Sequence, residues 1–207
     1  MVLEVEIKSP LGGEQDAGRV RKMLLDMGAV FSERVIHRDI YFRHPCRDIM
    51  ERDEAIRLRM EERYMGDKKI GVRFFLTHKG PRLDNRTKTR FEEEVSVDDF
   101  YSAREFMEAL GFEPAFEVVK EREFYRLGDV AFSIDHVPGL GWFVEAEKKV
   151  SDGGTGGAGS TGSGGVDDVL RATVDDLAEL MSSLGLEKWE RRAYLELLLE
   201  KKEKDKK

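Results

Sequence analysis

The sequence predicts an α+β protein built around an antiparallel sheet of eight strands, with a few helices packed outside it. Between residues 2 and 150, most segments alternate apolar and charged side chains, which is the period of a β-strand. Three other segments repeat apolar residues at helical spacing, and each is followed by a glycine. Hydrophobic residues make up 40% of the 207 residues, which is enough to form a core. A sheet of eight strands is large enough to close into a barrel.

The strands are predicted from alternation between turn signals. They span 2–8, 34–43, 55–63, 69–79, 88–96, 117–126, 129–136 and 142–150. Gly66-Asp67 and Gly128-Asp129 are typical of tight turns between neighbouring strands. Short connections of this kind favour antiparallel pairing.

The helices are predicted from apolar residues that recur every three to four positions. They cover 17–27, 100–110 and 170–184, and end at Gly28, Gly111 and Gly185. A fourth, shorter helix is predicted from Trp189 to about Leu199.

The chain is predicted to form one domain over residues 1–200. A glycine-rich stretch at 151–165 has no apolar side chain larger than alanine, so it is expected to be a flexible surface loop within that domain. It lacks the Gly-Lys-Ser/Thr ending of a phosphate-binding loop. Residues 201–207 form a charged, solvated tail.

Composition excludes several classes of protein. The 35 Lys and Arg against 42 Asp and Glu argue against nucleic-acid or anionic-membrane partners, which select a basic surplus. Cys46 is the single cysteine, so neither an intrachain disulfide nor a cysteine-based zinc site can form. The sequence has no long apolar run and no signal peptide, which predicts a cytoplasmic protein.

Charged side chains share one face of most predicted strands. Arg57 and Arg59 lie two residues apart, as do Glu145 and Glu147, so each pair projects from the same side of its strand. Such like-charge pairs repel each other unless an oppositely charged group lies between them. If the sheet closes with this face inward, the cavity must hold water or a charged ligand. Arg and Lys side chains bind phosphate oxygens, and carboxylates bind Mg²⁺ or Mn²⁺. A metal-bound polyphosphate would therefore account for both the cations and the carboxylates on this face.

The same charged residues carry a family pattern. Glu4-Val5-Glu6-Ile7-Lys8 resembles the N-terminal signature of the CYTH, or triphosphate tunnel metalloenzyme, superfamily. Further segments follow in order: 37–42, 53–59, 76–81, 88–94, 119–122, 134–135, 139–147 and 193–198. Tyr41-Phe42, His44-Pro45 and Lys79-Gly80-Pro81 are most similar to the class IV adenylyl cyclase-like branch.

This resemblance implies a closed eight-stranded tunnel that binds a triphosphate with Mg²⁺ or Mn²⁺. It implies phosphate binding by Lys8, Arg57, Arg59, Lys79, Arg90, Lys120 and Arg122. The implied metal ligands are Glu4, Glu6, Asp135, Glu145 and Glu147. The catalytic set would comprise Lys8, Arg57, Arg59, Glu6 and Glu145, with Glu92, Glu94 and Tyr41 in support.

The resemblance favours an adenylate cyclase that converts ATP to cyclic AMP and pyrophosphate. The residues themselves leave open a triphosphatase acting on inorganic, nucleoside or thiamine triphosphate. A non-catalytic polyphosphate- or nucleotide-binding module is the third reading. The expected partner is ATP or inorganic triphosphate, with no nucleic acid or membrane, and a homodimer is compatible with the sequence.

Overall fold

The computed structural model describes residues 2–49, 51–83, 87, 89–151 and 164–205. Its strands are β1 (Val2–Leu11), β2 (Val30–Arg43), β3 (Ala55–Met65), β4 (Lys68–Lys79), β5 (Arg90–Val97), β6 (Glu113–Leu127), β7 (Val130–Val137) and β8 (Gly141–Ser151). Its helices are α1 (Glu14–Asp26), α2 (Phe100–Ala109), α3 (Gly164–Ser183) and α4 (Tyr194–Lys204). Most of the predicted glycine-rich loop, at 152–163, lies outside the described residues, as do Lys88 and the end of the predicted tail, 206–207.

The eight strands form a closed antiparallel barrel, which confirms the predicted fold class. Their order around the barrel is β1-β5-β4-β3-β2-β6-β7-β8. Strand β1 closes the ring, because Leu3 pairs with Phe91 of β5 on one side and with Val150 of β8 on the other. Closure turns one face of every strand inward, so the alternation read from the sequence separates a lumen from an outer surface.

The outer, apolar face of the barrel is covered by helices. Val5 and Ile7 of β1 pack with the buried faces of α1 and α3, in a cluster that includes Leu24 and Leu177. Helix α2 covers β2 and β3 through a second cluster, which includes Phe100. No helix in the described part of the chain is long and apolar enough to span a membrane.

The first two helices end as predicted. Gly28 and Gly111 follow them with φ of 89° and 88°, the left-handed conformation that glycine adopts without strain.

The fourth helix is the main difference from the predicted elements. It begins at Tyr194 rather than Trp189 and continues to Lys204, into the predicted tail. The segment before it lies along β1, where the Glu190 amide donates to the Lys8 carbonyl and Ser9 Oγ donates to the Lys188 carbonyl. These backbone groups bond to the barrel, so they are not available for a helical turn.

Candidate functional site

The barrel encloses a cavity of about 560 Å³, within the range of small-molecule sites. All but two of the predicted site residues line it. The lining includes Glu4, Glu6, Tyr41, Arg57, Arg59, Lys79, Arg90, Glu92, Glu94, Lys120, Arg122, Glu145 and Glu147. Lys8 and Asp135 face inward from their strands but lie behind this lining, with 1% and 0% exposure.

The arginine pair of β3 is held by an aspartate of β2. Asp39 accepts two hydrogen bonds from Arg59, both of 2.7 Å, and lies 3.7 Å from Arg57. Burial alone would raise the pKa of this carboxyl, but the charges of Arg59 and Arg57 outweigh it and bring the pKa to about 2. Asp39 is therefore ionised and fixes both guanidinium groups before any ligand binds.

A second aspartate holds the cations of β6. Asp135, on β7, accepts hydrogen bonds from Lys120 at 3.0 Å and from Arg122 at 2.6 Å. It also accepts one from the Tyr194 hydroxyl at 2.8 Å, and Arg122 additionally pairs with Glu145. Burial, with the nearby charge of Arg122, lowers the pKa of Lys120 to about 8. Through Asp135 and Tyr194, this pair of cations is joined to residues 188–204, which we call the C-terminal segment. One of the two cations, Lys120, can lose its proton near physiological pH.

The β4–β5 wall adds further cations. Lys79 pairs with Glu92, and burial lowers the pKa of Lys79 below its usual range. Arg57 donates to Thr77 Oγ1 at 3.2 Å, and that hydroxyl donates to Glu94 at 2.9 Å. Arg90 donates to the Gly80 carbonyl at 3.2 Å, which orients it at the start of β5.

The β1–β8 wall is acidic. Glu6 pairs with Glu147 in the strand register, and Glu4 lies beside Lys149 at 2.8 Å. Burial raises the pKa of Glu147 to about 7, and the charges of Glu4 and Glu6 contribute to the rise. Burial and the charge of Glu92 likewise raise the pKa of Glu4. The lumen therefore has a wall of crowded carboxylates as well as its cationic walls.

The acidic wall suits a divalent cation by the chemistry of its donors. Carboxylate oxygens are the preferred ligands of Mg²⁺ and Mn²⁺, and a bound cation would relieve the repulsion between Glu4, Glu6 and Glu147. Within the residues that the structure describes, no three acidic, histidine or cysteine side chains already converge on one point. Chelation would therefore require these carboxylates to turn toward a common centre.

Lys8 has a different environment from the other predicted phosphate ligands. Its ammonium group donates to the Arg192 carbonyl and lies 4.1 Å from the centroid of the Tyr194 ring. Lys8 thus contacts the chain at the start of α4, and it lies behind the side chains that line the cavity.

Asp39 and Tyr194 were not predicted from the sequence, although they hold the cations described above. Glu61 also lies in the lining, where it bonds the buried His37 ring at 2.8 Å. Burial and the surrounding cations keep the pKa of His37 well below 6.5, so this ring is neutral. Alternation places Asp39 on the same face as Tyr41, which was a usable signal; the position of Tyr194 depends on the path of the chain after α3.

Comparison with known proteins gives consistent matches over the fold. A family model described as the CYTH domain matches residues 3–156. A Methanocaldococcus jannaschii protein named "putative adenylate cyclase" is 39% identical over 151 residues, which is 73% of this chain and 79% of that protein. A Pyrococcus horikoshii structure has a TM-score of 0.79 at 37% identity, covering 96% of this chain and 99% of that one. A Vibrio parahaemolyticus structure of the same "putative adenylate cyclase" name shares the fold at 20% identity, with a TM-score of 0.73 and coverage of 95% and 97%.

Proposed function

This chain belongs to the CYTH family, and from that premise we propose that it converts ATP to cyclic AMP and pyrophosphate inside its tunnel. The observation that carries the proposal is the arrangement of charges in one cavity. Buried cations, already fixed by Asp39 and Asp135, share the lumen with a wall of crowded carboxylates. Fixed cations of this kind stabilise phosphoryl charge without having to reorganise during the reaction.

The cation pairs of β3 and β6, the two strands that flank β2, would bind the phosphate oxygens from neighbouring parts of the barrel wall. Arg57 and Arg59 present planar guanidinium groups, which suit bidentate contacts to phosphate. The 3′-hydroxyl of ATP would attack the α-phosphorus and release its proton to water, while the bond between that phosphorus and the α,β-bridging oxygen breaks and pyrophosphate leaves. Lys79, Lys120 and Arg122 would stabilise the charge that develops on the leaving pyrophosphate.

The carboxylates Glu4, Glu6 and Glu147 would hold the Mg²⁺ or Mn²⁺ ion, with Glu145 as a further candidate ligand at the same wall. When bound, the ion supplies charge neutralisation on the phosphates and a lower pKa for the attacking hydroxyl. Asp135 has its oxygens engaged by Lys120, Arg122 and Tyr194, so we assign it to positioning these cations. Lys8 would act in the same indirect way, by holding the C-terminal segment.

A triphosphatase is the second candidate, and it is favoured by the number of cations that line the cavity. Arg57, Arg59, Lys79, Lys120 and Arg122 all line the cavity, so inorganic triphosphate would be held without any organic group. Water would then attack a terminal phosphorus with the same residues in place.

Product analysis separates these activities. The purified protein is incubated with ATP, and separately with inorganic triphosphate, with Mg²⁺ or Mn²⁺ and with a chelator as the control. Metal-dependent cyclic AMP and pyrophosphate are the expected products from ATP. Orthophosphate without cyclic AMP would establish the triphosphatase instead, and no product from either substrate would leave a binding module.

A further inference from the structure

Strand β5 is paired along its whole length on one side only. Strand β4 pairs with it from Glu92 to Val97, whereas β1 pairs with it only through Val2–Glu4, which lie opposite Arg90–Glu92. In the described part of the chain, no strand pairs with Glu93–Val97 on the β1 side. These residues therefore form an open strand edge in the barrel wall, which we call the β5 edge.

The backbone of the β5 edge can form hydrogen bonds with a further strand. In an antiparallel ladder, the amide and carbonyl of one residue point to one neighbouring strand, and those of the next residue point to the other. The Gly80 amide donates to the Phe91 carbonyl at 2.9 Å, so Phe91 faces the β4 side. Val95, four residues on, faces the same side, and the amides and carbonyls of Glu94 and Ser96 therefore face the open side. Four backbone groups are thus placed to pair with another strand.

The side chains of the β5 edge are open to solvent as well. Glu93, Glu94, Val95 and Ser96 are all exposed, and Val95, on the outer face of the barrel, is 57% exposed. Phe91 lies on the same face and is 36% exposed, and neither of the apolar clusters beneath α1, α2 and α3 includes these two side chains. An exposed apolar residue beside open backbone groups is typical of a site where a strand is added to a sheet.

The β5 edge is complementary to itself. If Glu94 pairs with Ser96 of a second copy, then Ser96 pairs with Glu94 of that copy, and all four open backbone groups are used. Val95 then lies directly opposite Val95 of the second copy. Side chains of directly opposed residues that are not hydrogen-bonded to each other come within contact distance, so the two valines would shield each other from water.

The acidic residues of the β5 edge restrict pairing to this one register. Glu94 lies opposite a serine in it, and Glu93 lies opposite Val97 of the second copy, so no two acidic residues are directly opposed. A shift of two residues in one direction would place Glu94 opposite Glu94, and a shift in the other direction would place it opposite Asp98. Both alternatives bring like charges together across the strands, which disfavours them.

We propose that the β5 edge joins two copies of this chain, through antiparallel pairing of β5 with β5 of the second copy, centred on Val95. The sheet would continue from one barrel into the other. Pairing centred on one residue has twofold symmetry, which is the commonest symmetry of homo-oligomers, and each copy supplies the hydrogen-bond partners that the other needs. This assembly does not depend on which reaction takes place in the lumen.

Ser96 offers two variants with opposite expected effects at one exposed position. Ser96→Lys places an ammonium group opposite Glu94 of the second copy, whereas Ser96→Glu places a carboxylate there. Ser32→Lys and Ser32→Glu are the matched controls, because Ser32 is an exposed serine of β2, which two strands separate from β5. Sedimentation velocity of the full chain over a series of concentrations measures the dissociation constant of the dimer for each variant.

The unmodified chain should form a dimer that dissociates on dilution. Ser96→Lys should lower the dissociation constant and Ser96→Glu should raise it, each by about 2- to 30-fold for two symmetric cross-strand pairs, while the Ser32 variants leave it unchanged. Misfolding cannot account for a tighter dimer, so the Ser96→Lys result is separate from any loss of structure. A monomer at every concentration would overturn the proposal, as would a dimer that the two Ser96 variants do not shift in opposite directions or that the Ser32 variants shift equally.

Discussion

Asp39, on β2, binds two arginines of the neighbouring strand β3, whereas Asp135, on β7, binds a lysine and an arginine of β6. Both aspartates are buried in the lumen and each fixes two cations that line the cavity. The first pair consists of two guanidinium groups, a type of cation that resists deprotonation in proteins. The second pair includes Lys120, whose pKa burial lowers to about 8, and its aspartate also accepts a bond from Tyr194 of the C-terminal segment.

The difference separates a permanent phosphate anchor from an adjustable one. A guanidinium group resists deprotonation even when buried, but an ammonium group loses its proton under the same burial. We infer that the β3 pair sets the basal affinity for phosphate. The β6 pair makes that affinity sensitive to pH and to the position of the C-terminal segment.

The largest expected effect is the loss of either aspartate. Asp39→Asn and Asp135→Asn each leave buried cations with less compensating charge, which we expect to lower the free energy of unfolding by about 3–5 kcal/mol. The loss should be larger for Asp39→Asn, because Arg122 keeps the buried Glu145 as a partner when Asp135 is changed, whereas Arg57 keeps only the more exposed Glu94, at 3.6 Å. Chemical denaturation measures both values.

Asp129→Asn is the control for this comparison. Asp129 pairs with Lys148 at the surface, with a side chain that is 71% exposed, so its substitution should leave the unfolding midpoint unchanged. An Asp39→Asn midpoint equal to that of the control would show that Asp39 does not stabilise the arginine pair.

The fold was predictable because strand alternation is a local property. The segment Ile56-Arg57-Leu58-Arg59 already separates its two faces, and closure of the ring converts that pattern into a lumen and an outer core. The start of α4 was not predictable in this way. Its position depends on hydrogen bonds between the segment before it and β1, which are distant in sequence.

The next prediction compares Arg57, which lines the cavity, with Lys8, which lies behind the lining. Arg57→Ala removes a cation that lines the cavity and should weaken triphosphate binding by about 10- to 100-fold, the range for a lost charge-assisted hydrogen bond. Lys8→Ala removes a contact to the Arg192 carbonyl behind the lining, so the change in affinity should be smaller. Titration calorimetry with inorganic triphosphate measures both, and a larger loss for Lys8→Ala would place Lys8 in the phosphate site.

The lining was predicted more completely than the contacts that orient it. Charge alternation brought the cations at the centre of the lining, such as Arg57 and Arg122, into the candidate list, but it missed Arg43, Arg82, Arg126 and Lys149. Alternation gives no information on which carboxylate each cation contacts. Asp135 was therefore grouped with the metal ligands, although in the structure it is surrounded by Lys120, Arg122 and the Tyr194 hydroxyl.

A pH titration tests the adjustable pair. Lys120 is protonated below about pH 8, so triphosphate affinity should fall by up to tenfold per pH unit as the pH rises above 8. The free energy of unfolding should instead increase as the pH rises above 8. Because the pKa in the folded state lies below that of the unfolded chain, the unfolded state binds more protons above pH 8 and stability increases toward pH 10.5. Lys120→Arg should remove both trends, and trends that persist in Lys120→Arg would assign them to another group.

The smallest expected effect comes from the link between the β6 pair and the C-terminal segment. Tyr194→Phe removes one hydrogen bond to Asp135, which keeps its bonds from Lys120 and Arg122, so the free energy of unfolding should fall by about 1 kcal/mol. Tyr125→Phe is a matched control, because the Tyr125 hydroxyl donates to Glu123 at 2.9 Å, away from the cavity lining. Both variants should lose similar stability, but only Tyr194→Phe should shift the pH at which triphosphate affinity begins to fall. Without Tyr194 as a donor, Asp135 should interact more strongly with Lys120, so the pH at which affinity falls should shift upward. An unchanged pH profile would mean that the C-terminal segment does not adjust the charge of Lys120.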